Sequence, residues 1–228
     1  MWRFLVRTTI ILIIQIAIFA QSVALANDDF TLRRVNVPIL MYHYVGDTPA
    51  DADIYRVDLT VSAERFRDHI EYLATGGYTT ISFYDLDEAL NSGTPLPEKP
   101  VILTFDDGHI DHYEAVFPVL QEFNMTGTFF LVTGRMDAAD PAYVTWEHVT
   151  EMAEAGMSME AHTKNHPDLR ERPQDFLTYE ILGSVESIEA YTGQRPRVFA
   201  YPGGRYDAAA VAVLSSTEIL HAVTTEFG

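Results

Sequence analysis

The sequence contains no cysteine among its 228 residues, which excludes disulfide bonds, thiolate metal ligands and a thiol nucleophile. Basic residues are also few: 15 lysines and arginines stand against 33 aspartates and glutamates, and the formal net charge is −18 at pH 7. Such a surface repels nucleic acid and anionic lipid, because both need basic patches. We therefore expect no nucleic-acid partner. Since 47% of the residues are apolar, the chain can instead build one domain around a hydrophobic core.

A long apolar run occurs only near the amino terminus. Arg3 and Arg7 come first, the residues from Thr8 to Ala20 are almost wholly apolar, and the small-x-small pattern Ala24-Leu25-Ala26 follows. This order predicts a secretory signal peptide over residues 1–26, and hence export to the periplasm or the outside of the cell. An uncleaved membrane anchor is the alternative, although the apolar stretch of about 17 residues is shorter than a spanning helix needs.

Residues 27–228 alternate β-rich segments with amphipathic helical segments. The predicted strands are Pro38–Val45, Tyr78–Phe83, Val101–Phe105, Gly127–Val132, Met157–Ala161, Arg197–Tyr201 and Ala222–Thr225. Apolar stripes between them predict helices, one of which begins after Ser62 and another of which contains Pro118. Because parallel strands need crossovers, this alternation predicts an α/β fold that closes into a barrel, with its chemistry at the carboxyl ends of the strands. An open doubly wound sheet is the alternative, but no Gly-x-Gly-x-x-Gly follows the first strand.

Two adjacent acids follow the apolar strand Val101–Phe105. Asp106 and Asp107 stand in the motif Thr-Phe-Asp-Asp-Gly. Carboxylates buried side by side repel each other and lose solvation, so they need a cation or a proton between them. Taken alone, the segment can also be an ordinary turn.

Two further segments follow later strands. His162 and His166 form a His-x-x-x-His pair, which suits a zinc-like ion that also takes a carboxylate, although two surface histidines are the alternative. In the segment 199–207, the backbone N–H groups at Gly203 and Gly204 can approach a ligand and stabilise an oxyanion, although an ordinary strand-to-helix turn is the alternative. The candidate substrate-binding residues of this segment are Tyr201, Pro202 and Tyr206.

Together the three segments resemble the polysaccharide deacetylase family, carbohydrate esterase family 4. The motifs that carry the resemblance are Thr-Phe-Asp-Asp-Gly at 104–108 and His-Thr-x-x-His-Pro-Asp-Leu at 162–169, and the likeness runs from Pro38 to Thr225. Within the family the chain is most similar to the branch of biofilm poly-N-acetylglucosamine deacetylases. The resemblance implies a distorted (β/α) barrel of about seven βα units over residues 27–228.

The resemblance also implies a role for each motif residue. It assigns Asp106 as general base and Asp107, His162 and His166 as ligands of a divalent ion, Zn²⁺ first, with Co²⁺ or Ni²⁺ as alternatives. We infer that the backbone N–H of Gly203 helps to hold the oxyanion. Because strand side chains alternate in direction, the adjacent aspartates can serve as one base and one ligand.

The chain departs from the family in two places. An arginine that orients the base in many members is replaced by Ala200, with Arg205 or Arg197 as substitutes. The late motif with a catalytic-acid histidine does not occur before Gly228, which suggests a truncated member with weakened activity. We expect His43, after the first strand, to serve as the acid.

The remaining histidines match no ligand position. We expect His221 to be structural, and the others to be surface or helix residues; these are His69, His109, His112 and His148. The leading function is de-N-acetylation of a β-linked N-acetylglucosamine polymer. The alternatives are O-deacetylation of acetylated xylan or another glycan, and an inactive glycan-binding homologue, which the intact Asp106 argues against.

Overall fold

A parallel β-sheet organises the part of the chain that the structure describes, residues 32–226 of a computed structural model. The predicted signal peptide, residues 1–26, lies outside these described residues. The strands are β1 (Ile39–Tyr42), β2 (Tyr44–Val45), β3 (Thr60–Val61), β4 (Thr79–Thr80), β5 (Pro100–Asp107), β6 (Thr128–Leu131), β7 (Ser158–Ala161), β8 (Val198–Ala200) and β9 (His221–Val223). The helices are α1 (Ile54–Asp58), α2 (Ala63–Thr75), α3 (Phe83–Asn91), α4 (Phe117–Glu122), α5 (Thr133–Asp137), α6 (Trp146–Glu154), α7 (Gln174–Thr192) and α8 (Ala208–Ser215).

The main sheet has seven strands in the order β1-β5-β6-β7-β8-β9, and β4 pairs with the start of β5. All of its pairings are parallel, so the carboxyl ends of the strands lie at one edge. The register places Asp106 beside Phe130 and Asp107 beside Leu131. Parallel pairing therefore gathers the loops that follow β5, β7 and β8.

The sheet curls into an incomplete barrel. The edge strands β1 and β9 line one common cavity of about 680 Å³, yet they do not pair with each other in the described chain. Helices flank the sheet, and buried aromatic side chains fill the core beneath the site, among them Phe105, Phe129 and Phe199. This architecture confirms the predicted (β/α) barrel of about seven units.

The helices begin and end where local chemistry predicts. The Ser62 hydroxyl accepts from the Arg65 backbone N–H and caps α2, whose buried face carries Phe66, Ile70 and Leu73. The helix α7 ends at Gly193 in the left-handed conformation, as expected. No helix among residues 32–226 is long and apolar enough to cross a membrane.

Some boundaries differ from the predictions. The first predicted strand breaks at His43, and β4 has only two residues because Ser82 forms a capping box that begins α3 at Phe83. Pro118 lies in the first turn of α4, where its missing N–H costs no bond, and the chain before it, His112–Val116, forms a π-helical turn. The predictions did not include α1, β3 and α5, which are too short to show a periodic apolar pattern.

Candidate metal and catalytic site

The two adjacent aspartates end β5, but strand alternation does not explain their roles. Asp106 is 7% exposed, whereas Asp107 has a φ of 77°, in the left-handed region, and is followed by Gly108 with a φ of 80°. Alternation alone would send neighbouring side chains to opposite faces of the sheet. The left-handed turn at Asp107 instead keeps its carboxylate at the barrel mouth, where His162 faces both acids.

Asp107, His162 and His166 come together as a candidate metal centre. The Asp107 Oδ1 atom lies 3.5 Å from His162 Nε2 and 3.4 Å from His166 Nε2, and one ligand atom from each residue lies within 4.8 Å of the other two. Tetrahedral bonds of about 2.0–2.1 Å to zinc separate neighbouring ligand atoms by roughly 3.3 Å. The three predicted ligands are therefore spaced to hold such an ion.

The tautomer of His162 is a second test of this fit. Its Nδ1 lies 2.8 Å from the Ala200 carbonyl oxygen, which can only accept, so Nδ1 carries the proton. A neutral His162 then presents the lone pair of Nε2 to the Asp107 carboxylate. Two acceptors facing each other in a buried site need a cation or a proton between them. The donor set therefore fits a bound divalent ion.

The pKa values of the ligands reflect the same crowding. Burial opposes ionisation of Asp107, but hydrogen bonds and charge from the surrounding histidines, His109 and His162 first, outweigh it and lower the pKa of the carboxyl. Burial likewise opposes a charged His162, and the two aspartates together with the Ala200 carbonyl raise its pKa nonetheless. Burial and the nearby His162 lower the pKa of His166.

The loop that carries the histidines is fixed by a buried carboxylate. Glu180 of α7 accepts from the Asn165 backbone N–H at 2.9 Å and from its side-chain amide at 2.8 Å. Thr163 and His166 both have positive φ, 67° and 57°, and the Thr163 hydroxyl accepts from the His166 N–H at 2.9 Å. The pair is therefore joined by an irregular, hydrogen-bonded turn and not by a regular helical turn.

Asp106 lies beside this centre without a partner of opposite charge. Burial raises the pKa of Asp106 to about 7. The Asp107 charge acts in the same direction, and His162 acts in the opposite direction. Neither expected arginine contacts it: Arg205 pairs with Asp168 at 3.7 Å, and Arg197 donates to the Glu218 carbonyl. The expectation that one of them orients Asp106 is therefore wrong for the described residues, since the nearest basic group is a histidine.

That histidine is His43, which lies where the sequence places it, at the barrel mouth. Its Nε2 atom is 3.9 Å from Asp106 Oδ2, and its side chain is 14% exposed. Burial and the neighbouring histidines lower the pKa of His43, against the attraction of Asp107. His112 donates from Nε2 to the His43 carbonyl at 2.7 Å, and this hydrogen bond fixes the backbone of His43.

The segment after β8 forms one side of the cavity. Tyr201 lines the cavity together with Asp106, and its ring stacks on the half-exposed Tyr206 at 4.7 Å between centroids. Pro202 is buried and Gly203 is exposed, with a φ of 59°. Gly204 must lack a side chain, because a Cβ there would lie 2.8 Å from the Thr225 backbone nitrogen.

Sequence reasoning missed two histidines. His109 and His112, expected on the surface or on a helix, are 7% and 0% exposed. Burial lowers the pKa of His112 to about 3, so it stays neutral below the site. The sequence shows that His109 follows Asp107 by two residues, but it does not show that the two side chains meet. They meet because of the left-handed turn at Asp107 and Gly108. His221, expected to be structural, pairs with Asp87 at 2.9 Å.

Comparisons with known proteins agree with this geometry. The family model for polysaccharide deacetylases matches residues 93–221, more than half of the chain. Among solved structures, the Streptococcus pyogenes deacetylase PplD, solved in complex with acetate, superposes with a TM-score of 0.79 and 30% sequence identity. That superposition covers 85% of this chain and 85% of the other chain.

Two curated relatives are similar over shorter stretches. The poly-β-1,6-N-acetyl-D-glucosamine N-deacetylase of Escherichia coli K12 is 32% identical over 140 residues, 55% of this chain and 20% of that enzyme. The peptidoglycan-N-acetylmuramic acid deacetylase PdaA of Bacillus subtilis is 31% identical over 106 residues, 46% of this chain and 38% of that enzyme. This chain therefore spans less than half the length of either relative.

Proposed function

Because the chain belongs to the polysaccharide deacetylase family, we propose that it removes acetyl groups from an N-acetylglucosamine polysaccharide by metal-assisted hydrolysis. The observation that carries the proposal is the arrangement around Asp107: two histidine nitrogens lie 3.4 and 3.5 Å from one carboxylate oxygen, and Asp106 is buried beside them. A domain that only binds glycan has no need of a second, buried carboxylate there. The arrangement therefore favours hydrolysis over binding alone.

Each residue has a chemical task in this proposal. Asp107, His162 and His166 would hold a divalent ion, which would supply a Lewis acid for the acetyl carbonyl and a lowered pKa for a water molecule. Asp106 takes the proton of the attacking water, for which its raised pKa, about 7, suits a general base near neutral pH. The N–H of Gly203 is our candidate donor to the oxyanion.

His43 is the proposed acid. When the amide C–N bond breaks, acetate forms and the departing nitrogen must gain a proton, because an amide anion is a very poor leaving group. The His43 ring lies 3.9 Å from Asp106, so both proton-transfer groups face the same reacting centre. His112 supports this role, since its bond to the His43 carbonyl limits movement of the His43 backbone.

The substrate is proposed from chemistry and similarity together. The cavity is lined by Tyr201 beside Asp106, and an aromatic wall suits the apolar face of a sugar. One relative acts on poly-β-1,6-N-acetyl-D-glucosamine and another on peptidoglycan, so the N-acetylated amino sugar is the common element. We propose the β-linked N-acetylglucosamine polymer as the substrate and, from residues 1–26, an exported location.

Acetate release from a panel of glycans tests the function. The panel is poly-β-1,6-N-acetylglucosamine, peptidoglycan and acetylated xylan, each assayed after chelation and after addition of Zn²⁺ or Co²⁺. We expect release from the N-acetylated glycans, loss with chelator and recovery with metal. Release from acetylated xylan alone would make the chain an O-deacetylase, and chelator-resistant release would reject the metal site.

The role of His43 has its own test, a comparison of amide and ester substrates. An ester alkoxide leaves more readily than an amine, so His43→Ala should damage amide cleavage much more than cleavage of an activated acetyl ester. His69→Ala is the matched control, because His69 lies on α2 and contacts the Tyr42 hydroxyl. An equal loss on both substrates, or no loss on either, would remove His43 as the acid.

A further inference from the structure

His109 is a buried histidine, 7% exposed, that pairs with Asp107. Its Nε2 atom lies 3.3 Å from Asp107 Oδ2, at ion-pair distance, and forms no hydrogen bond of regular geometry within residues 32–226. We propose that His109 is a positioning residue that holds the Oδ2 atom of Asp107, so that the Oδ1 atom stays directed at His162 and His166. This inference rests on the metal site proposed above.

The two oxygens of Asp107 face different partners. Oδ1 lies 3.5 and 3.4 Å from the Nε2 atoms of His162 and His166, whereas Oδ2 faces His109. The His109 ring does not join the group of ligand atoms that lie within 4.8 Å of one another. A carboxylate with one oxygen anchored cannot rotate or chelate freely. His109 therefore acts on the ion through Asp107, and not as a ligand.

The ring of His109 packs against two aromatic rings. It stacks on Tyr44 with 4.0 Å between centroids and lies 4.9 Å from the Tyr143 ring. The Arg56 guanidinium lies 3.3 Å from the centre of the Tyr44 ring, which steadies that ring in turn. Since packing against two aromatic rings restricts rotation of the His109 ring, its Nε2 keeps its direction toward Asp107.

The backbone also brings His109 to this place. Asp107 and Gly108 both have positive φ, and the two successive left-handed residues fold residue 109 back over residue 107. A Cβ at Gly108 would lie 3.0 Å from Met136 and 3.1 Å from Leu131, so the turn packs tightly. The Ile110 N–H donates to the Ala142 carbonyl, and the Val144 N–H to the Gly108 carbonyl, both at 3.0 Å. Asp107, Gly108 and His109 therefore form one rigid turn.

Metal affinity is the decisive measurement, because loss of a partner that orients a ligand typically weakens metal binding by about 10–100-fold. We compare wild type, His109→Ala and His109→Gln by competition with a chromogenic chelator for Co²⁺ and Zn²⁺. We expect the Ala variant to lose about 10–100-fold in affinity. The Gln variant keeps an N–H donor near the position of Nε2, so it should recover most of this loss, with an unchanged Co²⁺ absorption spectrum.

The matched control is His221→Gln, which changes the other close His–Asp pair at the opposite end of the sheet. It should leave metal affinity unchanged. Circular dichroism and thermal unfolding in chelator establish that each variant folds, and the Gln variant decides the matter if the Ala variant does not. Unchanged affinity in His109→Ala would overturn the inference, as would an equal loss in both variants with an altered Co²⁺ spectrum, which would make His109 a ligand. If wild type itself bound no metal, the proposed metal site would fail first.

Discussion

The two ends of the parallel sheet bury carboxylates in opposite ways. Beside the amino end of β8, Glu160 is 1% exposed and accepts four hydrogen bonds, from the Tyr84 and Ser158 hydroxyls and from the N–H groups of Arg197 and Val198. At the carboxyl ends, Asp106 is almost as deeply buried, and the nearest basic group is 3.9 Å away. A satisfied carboxylate stabilises the fold, whereas an unsatisfied one is available to a ligand or a reaction.

The backbone differs between the two ends in the same way. In the helix-to-strand turns at the amino ends, the residues with positive φ are Gly77, Gly93, Asn124, Gly156 and Gly193, which tolerate that region. In the strand-to-helix connections at the carboxyl ends, residues with a restrictive Cβ adopt it too, including Asp107, Thr163 and His166. Strained residues at functional sites cost about 1–3 kcal/mol each. The site is therefore built at the expense of local stability, and the opposite end is not.

Removal of a metal ligand should give the largest effect. Asp107→Ala deletes the carboxylate that faces both ligand histidines, so it should abolish binding of one divalent ion and reduce acetate release by about 10³-fold or more, since Lewis-acid stabilisation is worth several kcal/mol. Elemental analysis after dialysis measures the metal. Asp87→Ala removes the carboxylate that pairs with His221 at the other end and should keep full occupancy. Full occupancy in Asp107→Ala would exclude this centre.

Substitution of the base should separate binding from chemistry. Asp106→Asn keeps the three ligands, so the metal content should match wild type while kcat falls by about 10²–10⁴-fold, the usual contribution of a general base. Steady-state acetate release and metal analysis on the same preparation provide the comparison. Near-normal turnover in this variant would mean that another group accepts the proton.

Substitution at the amino end should affect stability and leave the metal in place. Glu160→Ala leaves its buried donors without an acceptor, and each unsatisfied group costs about 1–3 kcal/mol, so the free energy of unfolding should fall by about 3 kcal/mol or more. Urea unfolding of the metal-free protein measures this loss. A folded Glu160→Ala protein that binds metal more weakly than wild type would contradict the functional separation of the two ends.

Asp106 should also make the stability of the metal-free protein depend on pH. Its pKa of about 7 in the folded state exceeds the ordinary value of 3.8, so its contribution is full below about pH 4 and is lost as pH rises through 7. The free energy of unfolding of wild type relative to Asp106→Asn should therefore fall by up to about 1.4 kcal/mol per pH unit in this window. Urea titrations in chelator at pH 5, 6 and 7 test the slope. Parallel curves for the two proteins would show that Asp106 is ionised throughout.

The smallest effects come from exchanging alanine and glycine at the two ends. Ala139 lies in the connection after β6 with a φ of 52°, and Gly156 precedes β7 with a φ of 91°. Ala139→Gly should stabilise the protein by about 0.5 kcal/mol by relieving the left-handed penalty, whereas Gly156→Ala should destabilise it by about 1 kcal/mol. Both positions are exposed, so acetate release should not change. If the two substitutions shifted the unfolding temperature in the same direction, the left-handed backbone at Ala139 would not be strained as proposed.

Local chemistry made much of the fold predictable. Ser62 caps its helix and Gly193 ends another, because a capping hydroxyl and a residue free to adopt positive φ act within a few residues. The resemblance to the deacetylase family likewise predicted that Asp107, His162 and His166 meet, and parallel strands allow this because their carboxyl ends lie together. Arg205 and Arg197 could not be placed in this way, because a long side chain takes its partner from whatever packs nearby.

The sequence by itself determined the order of the strands in the main sheet, the absence of thiol chemistry and the identity of the three candidate ligands. Only the tertiary structure decided which side chains orient them. His109 reaches Asp107 through two left-handed residues, and His112 reaches the His43 carbonyl across 69 positions of the chain. The physical reason is range: caps and periodic patterns act over a few residues, whereas burial and hydrogen bonding to distant groups depend on the packed chain as a whole.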